Sequence, residues 1–467
     1  MNQLQLNEMI DRKFDLFTEI SAKIWDYAEL AWAETKSSEL QCQEMEKQGF
    51  IIDHPVSDMP TAFTAQWGQG IPVIGFLGEF DALPGMSQEA FKCEEAPLEG
   101  REAGHGCGHN ILGVAAMEAA VATKDYMEAN GISGTVRYYG CPAEEGGCGK
   151  TFMVRAGCFQ DLDACFAWHP GPASYSNMRS LANVTARFFF RGVASHAALA
   201  PHLGRSALDA VELMNVGTNF LREHVTSDVR MNYAITNSGG NIPNIVQAKA
   251  EVVYGLRGDN MDTVKNVLQR VQRIAQGAAM MTDTKVEWQV LSSYADLILN
   301  KTLTEMTAKN MQKVFPISFS EEDLKLAQSF KKIAPKAQIR ADEAEAIAHG
   351  ADPKRPMMDF PLPPEAMEHR PSTDVGDVSW NVPTACFTVC STAMGTPLHN
   401  WRTTAQVKSS AAHLGMKAAA TIMAMDALQL MEDAGLLEQV KHDFDEALQG
   451  RRYECLISDA IKPGKQG

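Results

Sequence analysis

Side chains that bind soft metal ions lie in four short segments of the sequence. In the first, residues 104–110, Cys107 and His109 stand two residues apart among glycines, directly ahead of an apolar run. A thiolate and an imidazole in a tight loop at the start of a helix can reach one metal ion, and the helix dipole favours the thiolate form. This segment therefore predicts one part of a metal site.

The other three segments strengthen that prediction only in combination. Glu144 and Glu145 lie in a glycine-rich turn, His169 follows an apolar run, and His399 lies in a short polar segment. Alone, an acidic turn is usually solvated and a single histidine is usually a satisfied core residue. Together with Cys107 and His109, however, Glu145, His169 and His399 exceed the four ligands of a structural zinc. They suit two divalent metals that share a bridging ligand, and Glu144 is then free to handle a proton.

Composition narrows the class of protein. The chain has 467 residues, 45% hydrophobic and 21% charged, which is ordinary for a globular enzyme of more than one domain. Its net charge of -16 argues against non-specific nucleic-acid binding. No segment approaches the roughly 20 apolar residues that span a bilayer, and no secretory signal is evident. The ten cysteines show no disulfide framework, so we expect a cytoplasmic protein.

Apolar runs at 72–77, 134–140 and 164–168 predict buried strands, and residues 111–129 predict a helix between the first two. Strands that alternate with helices indicate an α/β fold with a mostly parallel sheet flanked by helices. The candidate ligands follow these strands, where open α/β sheets bind ligands. Residues 7–49 predict one long amphipathic helix.

A second pattern occupies residues 181–295. Its predicted elements follow the order β-α-β-β-α-β, which is a ferredoxin-like α+β arrangement. Because this arrangement is complete in itself, we interpret it as a domain inserted into the first. Residues 1–180 and 296–467 then form the catalytic metal-binding domain.

The metal-binding motifs, in their order and approximate spacing, resemble those of the amidohydrolase branch of metallopeptidase family 20, over nearly the whole chain. The resemblance implies a zinc-peptidase-like catalytic domain with an inserted lid and dimerisation domain. It implies two divalent metal ions, Mn or Zn, bridged by Cys107. His109 and Glu145 would lie on one side and His169 and His399 on the other, with Glu144 as the general base.

In the inserted domain, residues 192–198 resemble the lid segment of that family. The resemblance implies that His196 reaches the scissile carbonyl across a dimer interface. Asn244 and Arg257 match the positions that grip substrate oxygens or the substrate carboxylate. One departure concerns the early strand, where Glu79-Phe80-Asp81 replaces a His-x-Asp ligand pair. Asp81 is therefore expected at most to orient a ligand.

The implied activity is hydrolysis of the amide bond of N-acyl amino acids, with p-aminobenzoyl-glutamate as the leading substrate. A dipeptidase or another N-acyl-amino-acid deacylase is the alternative within the same chemistry. The expected assembly is a homodimer, or a heterodimer with a related subunit, without nucleic-acid or membrane partners. Two further classes stay open: a metal-stabilised binding protein without turnover, and a hydrolase with Cys107 as nucleophile, although two residues' separation from His109 is poor geometry for it.

Overall fold

The computed structural model describes residues 1–363 and 371–465. The α-helices are α1 (Gln3–Tyr27), α2 (Thr35–Lys47), α3 (His109–Asn130), α4 (Glu144–Gly147), α5 (Gly149–Arg155), α6 (Ala207–Leu221), α7 (Met261–Thr282), α8 (Lys301–Val314), α9 (Glu321–Ile333), α10 (Lys336–Ala348), α11 (Val375–Ser379), α12 (Trp401–Gln406), α13 (Ser410–Glu432) and α14 (Ala434–Leu448). The strands are β1 (Ile51–Asp53), β2 (Phe63–Gln69), β3 (Val73–Glu79), β4 (Gly134–Cys141), β5 (Ala164–Gly171), β6 (Ser174–Tyr175), β7 (Ala182–Arg191), β8 (Arg230–Asn237), β9 (Lys249–Gly258), β10 (Lys285–Tyr294), β11 (Pro361–Leu362) and β12 (Thr384–Cys390). Among the described residues, none of these helices is long and apolar enough to cross a membrane.

The chain divides into two compact units. The first unit contains Met1–Arg179 and most of the chain after Ile298, and the second contains Ser180–Leu297, Pro371–Asp377 and the segment from Glu454 onward. Relative to the predicted domains, this division adds two short segments to the second unit. Their sequences carry no strong periodicity, so the pattern alone did not indicate where they pack.

The first unit contains an eight-stranded sheet in the order β1-β2-β4-β3-β5-β12-β6-β11. Its central strands β4, β3, β5 and β12 run parallel to their neighbours in this group. Every residue of β3 and of β12 is buried, as expected for parallel strands that are covered on both faces. The predicted α/β class with a mostly parallel sheet is confirmed.

Helices α3 and α13 form the centre of the helical layer beside this sheet. Both are rich in alanine and apolar around most of their circumference, and most of their residues are buried. A helix that is apolar on nearly every side is stable only where neighbours surround it. The helix predicted over residues 111–129 is confirmed, and α3 carries His109 at its first position.

The single long helix predicted over residues 7–49 is wrong. The structure has two helices, α1 and α2, because Ala28 ends α1 in the left-handed conformation with φ 43°. The side chain of Glu29 then accepts hydrogen bonds from the backbone N–H groups of Lys36 and Ser37 in the first turn of α2. A carboxylate at that place satisfies donors that have no partner within the helix.

The second unit contains a four-stranded antiparallel sheet in the order β10-β7-β9-β8. Along β9, buried and more exposed residues alternate, because helices α6 and α7 cover only one face of the sheet. Ser206 and Asn260 cap the two helices through their side chains. The chain order β7-α6-β8-β9-α7-β10 is the predicted ferredoxin-like arrangement, which is confirmed.

Glu118 is a buried acid in the middle of α3. Its residue exposure is 1%, and neither carboxylate oxygen has a hydrogen-bond partner in the described part of the chain. Burial raises the pKa of Glu118 from 4.5 to about 8, although Lys417 opposes this shift. The folded protein therefore keeps this side chain protonated at pH values where the unfolded chain has lost the proton.

We predict that Glu118→Gln changes how stability depends on pH. The raised pKa in the folded state means that the wild type is progressively destabilised as pH rises from 4.5 to about 8. The variant should be more stable than the wild type at pH 8.5 by up to about 5 kcal/mol, and this advantage should disappear at pH 4. Urea unfolding at both pH values measures the difference. Glu128→Gln, at an exposed site of the same helix, is the control. Equal pH profiles for Glu118→Gln and the wild type would contradict the prediction.

Candidate metal centre

The loop before α3 places Cys107 and His109 beside strand β5. Gly108 has φ 78°, and a Cβ at this position would come within 2.8 Å of the Pro170 ring. The absence of a side chain at residue 108 therefore permits close approach to the end of β5. The loop also accepts a hydrogen bond at Gly106 O from the backbone N–H of His399, at 2.8 Å.

The structure brings the five predicted metal ligands together. Cys107 Sγ lies 3.4 Å from His169 Nε2. Cys107, His109 and His169 each offer a donor atom within 4.8 Å of the others, and the same holds for Cys107, Glu145 and His399. Cys107 therefore belongs to both groups, as a bridging ligand requires. The grouping itself differs from the one implied by the family resemblance, which paired His109 with Glu145 and His169 with His399.

Hydrogen bonds fix which histidine nitrogens face the centre of this cluster. His109 Nδ1 lies 2.9 Å from Asp81 Oδ1, and His169 Nδ1 lies 2.8 Å from the backbone oxygen of Pro170. Since these partners only accept hydrogen bonds, Nδ1 carries the proton and Nε2 keeps its lone pair in the neutral form of each ring. Lone pairs on Nε2 that point to a common centre are the arrangement that metal ions require.

Two buried atoms of the cluster have no hydrogen-bond partner in the part of the chain that the structure describes. They are His109 Nε2 and Glu145 Oε1, which are 4.0 Å apart. A buried acceptor without a partner costs about 1–3 kcal/mol, so a group that satisfies both atoms stabilises this arrangement. A divalent cation does so, and the thiolate, imidazole and carboxylate donors fit one. The residues present therefore fit bound divalent metals.

Asp81 supports two of the candidate ligands. One carboxylate oxygen contacts His109, and the other accepts a hydrogen bond at 2.8 Å from the backbone N–H of Glu145. This position agrees with the supporting role expected from the sequence, because Asp81 orients an imidazole through the nitrogen that does not face the cluster.

The turn that carries Glu144 is held by a residue that the sequence analysis missed. Ala143 adopts the left-handed conformation with φ 57°, which is unfavourable for a residue with a side chain. Its backbone N–H donates to Glu34 Oε1 at 2.8 Å, and Thr61 donates to the other oxygen of Glu34. Burial, followed by the charge of Asp81, raises the pKa of Glu34 to about 8. Glu34 is more than a hundred residues from the turn in sequence, so spacing gave no signal of this contact.

A buried ion pair adjoins the cluster and was also missed. Lys150 Nζ lies 2.6 Å from Glu79 Oε1, and both side chains are almost fully buried. The other oxygen of Glu79 lies 3.4 Å from His109 Nε2, and Glu79, His109 and Glu144 form a third group of close donor atoms. Burial alone would raise the pKa of Glu79, but Lys150 and His109 hold it below its ordinary value. In the sequence, Glu79 stood out only by its place at the end of a predicted strand, where Glu79-Phe80-Asp81 replaces a His-x-Asp ligand pair.

In the second unit, His196 and Asn244 lie close together. The backbone N–H of Ala197 donates to Asn244 O at 2.9 Å. His196 is exposed, and its Nδ1 accepts hydrogen bonds from the backbone N–H groups of Ala198 and Leu199. In neutral His196 the proton must then be on Nε2, which can donate to a ligand.

Arg257 is not brought together with His196. The segment that carries His196 follows β7 at the end where Arg191 pairs with Lys249, whereas Arg257 is eight residues further along β9. At about 3.3 Å per residue, the two ends of β9 are separated by roughly 26 Å. One copy of this unit therefore cannot place both side chains on the same small molecule.

Comparisons with known proteins agree with this architecture. Residues 179–280 match the peptidase dimerisation domain of the M20 peptidases. The chain is 41% identical over 471 residues to a subunit of p-aminobenzoyl-glutamate hydrolase from Escherichia coli (strain K12), covering 98% of both chains. It is 28% identical to Xaa-Arg dipeptidase of Mus musculus, covering 95% of this chain and 92% of the relative. A solved structure of a dinuclear metal binding peptidase from the M20 family of Bacillus subtilis aligns with a TM-score of 0.56 at 15% identity, covering 90% of this chain and 99% of the other.

We predict that Cys107→Ala lowers metal binding more than any other cysteine substitution. Cys107 is the cysteine that belongs to two of the close groups of the described residues, so its loss should weaken affinity for both ions by at least about 10-fold. Metal content per chain after dialysis against a weak chelator measures the effect. Cys386→Ala, at a buried cysteine of β12, is the matched control and should keep its metal. Unchanged metal content in Cys107→Ala would exclude a bridging role.

Proposed function

Because this chain belongs to the M20 family of metallopeptidases and amidohydrolases, we propose that it hydrolyses p-aminobenzoyl-glutamate to p-aminobenzoate and glutamate. The substrate follows from the relative that shares 41% identity over almost the full length of both chains. The observation that carries the chemistry is the convergence of Cys107, His109, His169, Glu145 and His399 on one centre. We propose these five residues as the metal ligands.

The proposed metals are Mn or Zn. A thiolate and three imidazoles favour transition metals over Mg and Ca, which prefer sites made of oxygen atoms alone. Bound at this centre, two such cations would polarise the amide carbonyl and lower the pKa of a water molecule. Lys150 forms an ion pair with Glu79 and so offsets one of the negative charges of the site.

Glu144 is the proposed general base. Its carboxylate lies in one close group with Glu79 and His109, on the turn that Glu34 holds in place. From there it would take a proton from the attacking water and deliver that proton to the leaving nitrogen. Because one carboxylate performs both transfers, its position must be maintained throughout the reaction. The hydrogen bond from Ala143 to Glu34 supports that requirement.

His196, Asn244 and Arg257 are the proposed substrate-binding groups. His196 would donate from Nε2 to the oxygen of the scissile carbonyl, and Arg257 would hold a carboxylate through two parallel hydrogen bonds. Because roughly 26 Å of β9 separates the two ends of the sheet, both contacts on one substrate require two copies of the second unit. This separation supports the proposed dimer.

An exposed apolar surface beside the edge strand β8 suits such a dimer. Tyr233 and Ile235 on β8 are 41% and 43% exposed, and Val216 and Phe220 on α6 are 52% and 70% exposed. An uncovered edge strand with apolar side chains is a site for pairing with another chain. We propose a second copy of this chain as the partner, with a related subunit as the alternative.

Cysteine chemistry supports the proposed cytoplasmic location. In the described residues, which include all ten cysteines, no disulfide bond is formed. Reduced cysteines are typical of proteins that work in a reducing compartment.

We predict that Glu144→Gln keeps its metal and loses turnover. A general base of this kind contributes about 10²–10⁴-fold to the rate, and the amide cannot replace its proton transfers. Metal content and kcat for p-aminobenzoyl-glutamate measure the two effects separately. Glu128→Gln, on the surface, is the control for the charge change.

A substrate panel tests the rest of the proposal. The metal-loaded wild type should prefer p-aminobenzoyl-glutamate over hippurate and over a dipeptide that ends in arginine. Faster hydrolysis of the dipeptide would favour the dipeptidase alternative, to which the 28% identical relative points. Near-normal turnover in metal-loaded Glu144→Gln would remove Glu144 from the mechanism.

We predict that the double substitution Phe220→Asp and Ile235→Asp separates the dimer. Two carboxylates in the proposed apolar interface would be desolvated without partners, so the mass in solution should fall to that of one chain. Light scattering measures the mass, and kcat/KM should fall with it while metal content stays unchanged. Met280→Asp, on α7 at 83% exposure, is the control outside this surface. A dimer that persists in the double variant would place the interface elsewhere.

A further inference from the structure

Two arginines lie directly opposite each other on the sheet of the second unit. Arg230 on β8 is the register partner of Arg257 on β9, and both are exposed. Directly opposed residues of an antiparallel pair have their Cβ atoms about 5 Å apart, and like charges at that distance are destabilising. An anion bound between the two guanidinium groups would offset their repulsion.

Acidic side chains of the described residues do not supply that anion. Neither Arg230 nor Arg257 forms an ion pair with a carboxylate in that part of the chain. Asp228 is the acid whose pKa responds to Arg230, after a larger effect of Thr226, and its Oδ2 accepts a hydrogen bond from the backbone N–H of Asp259. The charge of the arginine pair is thus only partly offset within the protein.

Arg230 is held in place while part of its guanidinium stays available. Its Nη1 donates to the backbone oxygens of Ser227 and Val229. These contacts use one nitrogen and leave Nε and Nη2 for a ligand. A guanidinium that is already ordered loses less entropy when it binds a carboxylate, so it discriminates better between ligands.

The sheet next to the arginine pair has an open surface. Gly255, two residues before Arg257 on the same face, pairs with Asn232 of β8 and Thr185 of β7. A Cβ placed on Gly255 would meet no atom within 4 Å. A glycine between two short polar side chains leaves room for a small molecule to lie flat against the strands. The pair and this surface together form a place for a small anion with more than one acidic group.

We propose that Arg230 is a specificity-determining residue that binds the second carboxylate of a dicarboxylic amino acid, next to the one held by Arg257. This inference rests on the proposed function, and it explains why the enzyme would select glutamate conjugates over neutral ones. Glutamate carries two carboxylates on one short chain, which matches two guanidinium groups on neighbouring strands. A monocarboxylic amino acid would leave Arg230 without its ligand.

The test compares p-aminobenzoyl-glutamate with p-aminobenzoyl-glutamine, which has the same shape but lacks the second negative charge. In Arg230→Met we expect kcat/KM for the glutamate conjugate, divided by kcat/KM for the glutamine conjugate, to fall at least about 10-fold. The reason is that one charge-assisted contact to the glutamate conjugate is lost. The loss should appear in KM for the glutamate conjugate, with kcat and metal content unchanged. Arg230→Lys should restore part of the preference, because it keeps the charge but not the fork.

Arg191→Met is the matched control. Arg191 is exposed on the same face of the sheet at the other end of β7, so its substitution removes the same charge without touching the pair. The substrate ratio of this control should equal that of the wild type. If wild-type enzyme hydrolyses these conjugates but Arg230→Met keeps the wild-type ratio, or loses both substrates equally, the role of Arg230 is overturned. If metal-loaded wild type hydrolyses neither substrate, the proposed function itself fails.

Discussion

The first unit is organised around one electrostatic constraint: buried groups with unshared electron pairs converge on one centre, and two of their atoms have no hydrogen-bond partner among the described residues. His109 Nε2 and Glu145 Oε1 are the buried atoms that show this directly, and Cys107 and His169 lie in the same cluster. Such a cluster is unfavourable in an apolar protein interior and favourable around cations. The surrounding contacts fix the direction in which each donor points, through Asp81 and the backbone of Pro170.

The parts of this site that could be predicted were those that depend on residue type and local order. Cys107 and His109 lie at the start of α3, Glu145 follows β4, and His169 lies near the end of β5. The parallel arrangement of these strands could be inferred from the alternation of strands and helices. Parallel strands present their carboxyl ends at one edge, so residues that follow them must come close together. The ferredoxin-like unit was predictable for a similar reason, since its strand lengths and turn positions are local features of the sequence.

The parts that could not be predicted depend on contacts between distant segments. Glu34 and Lys150 look like ordinary charged residues in the sequence, yet one holds the backbone of Ala143 and the other pairs with Glu79 in the protein interior. A charged residue in a sequence is usually solvated, and only tertiary structure shows that these are not. The break between α1 and α2 was missed for a related reason, because Glu29 satisfies the start of α2 from outside the helical pattern.

In the second unit, the length of β9 fixes the distance between His196 and Arg257. Backbone hydrogen bonding makes β9 a rigid spacer between the segment of His196 at one end and Arg257 at the other. If His196 and Arg257 have the proposed roles, one small substrate cannot contact both of them in a single copy of this unit. An exposed apolar edge strand promotes aggregation of a monomer, whereas pairing with a second chain covers it. In the proposed dimer, pairing at β8 would supply the second spacer, so that one substrate could contact His196 of one copy and Arg257 of the other.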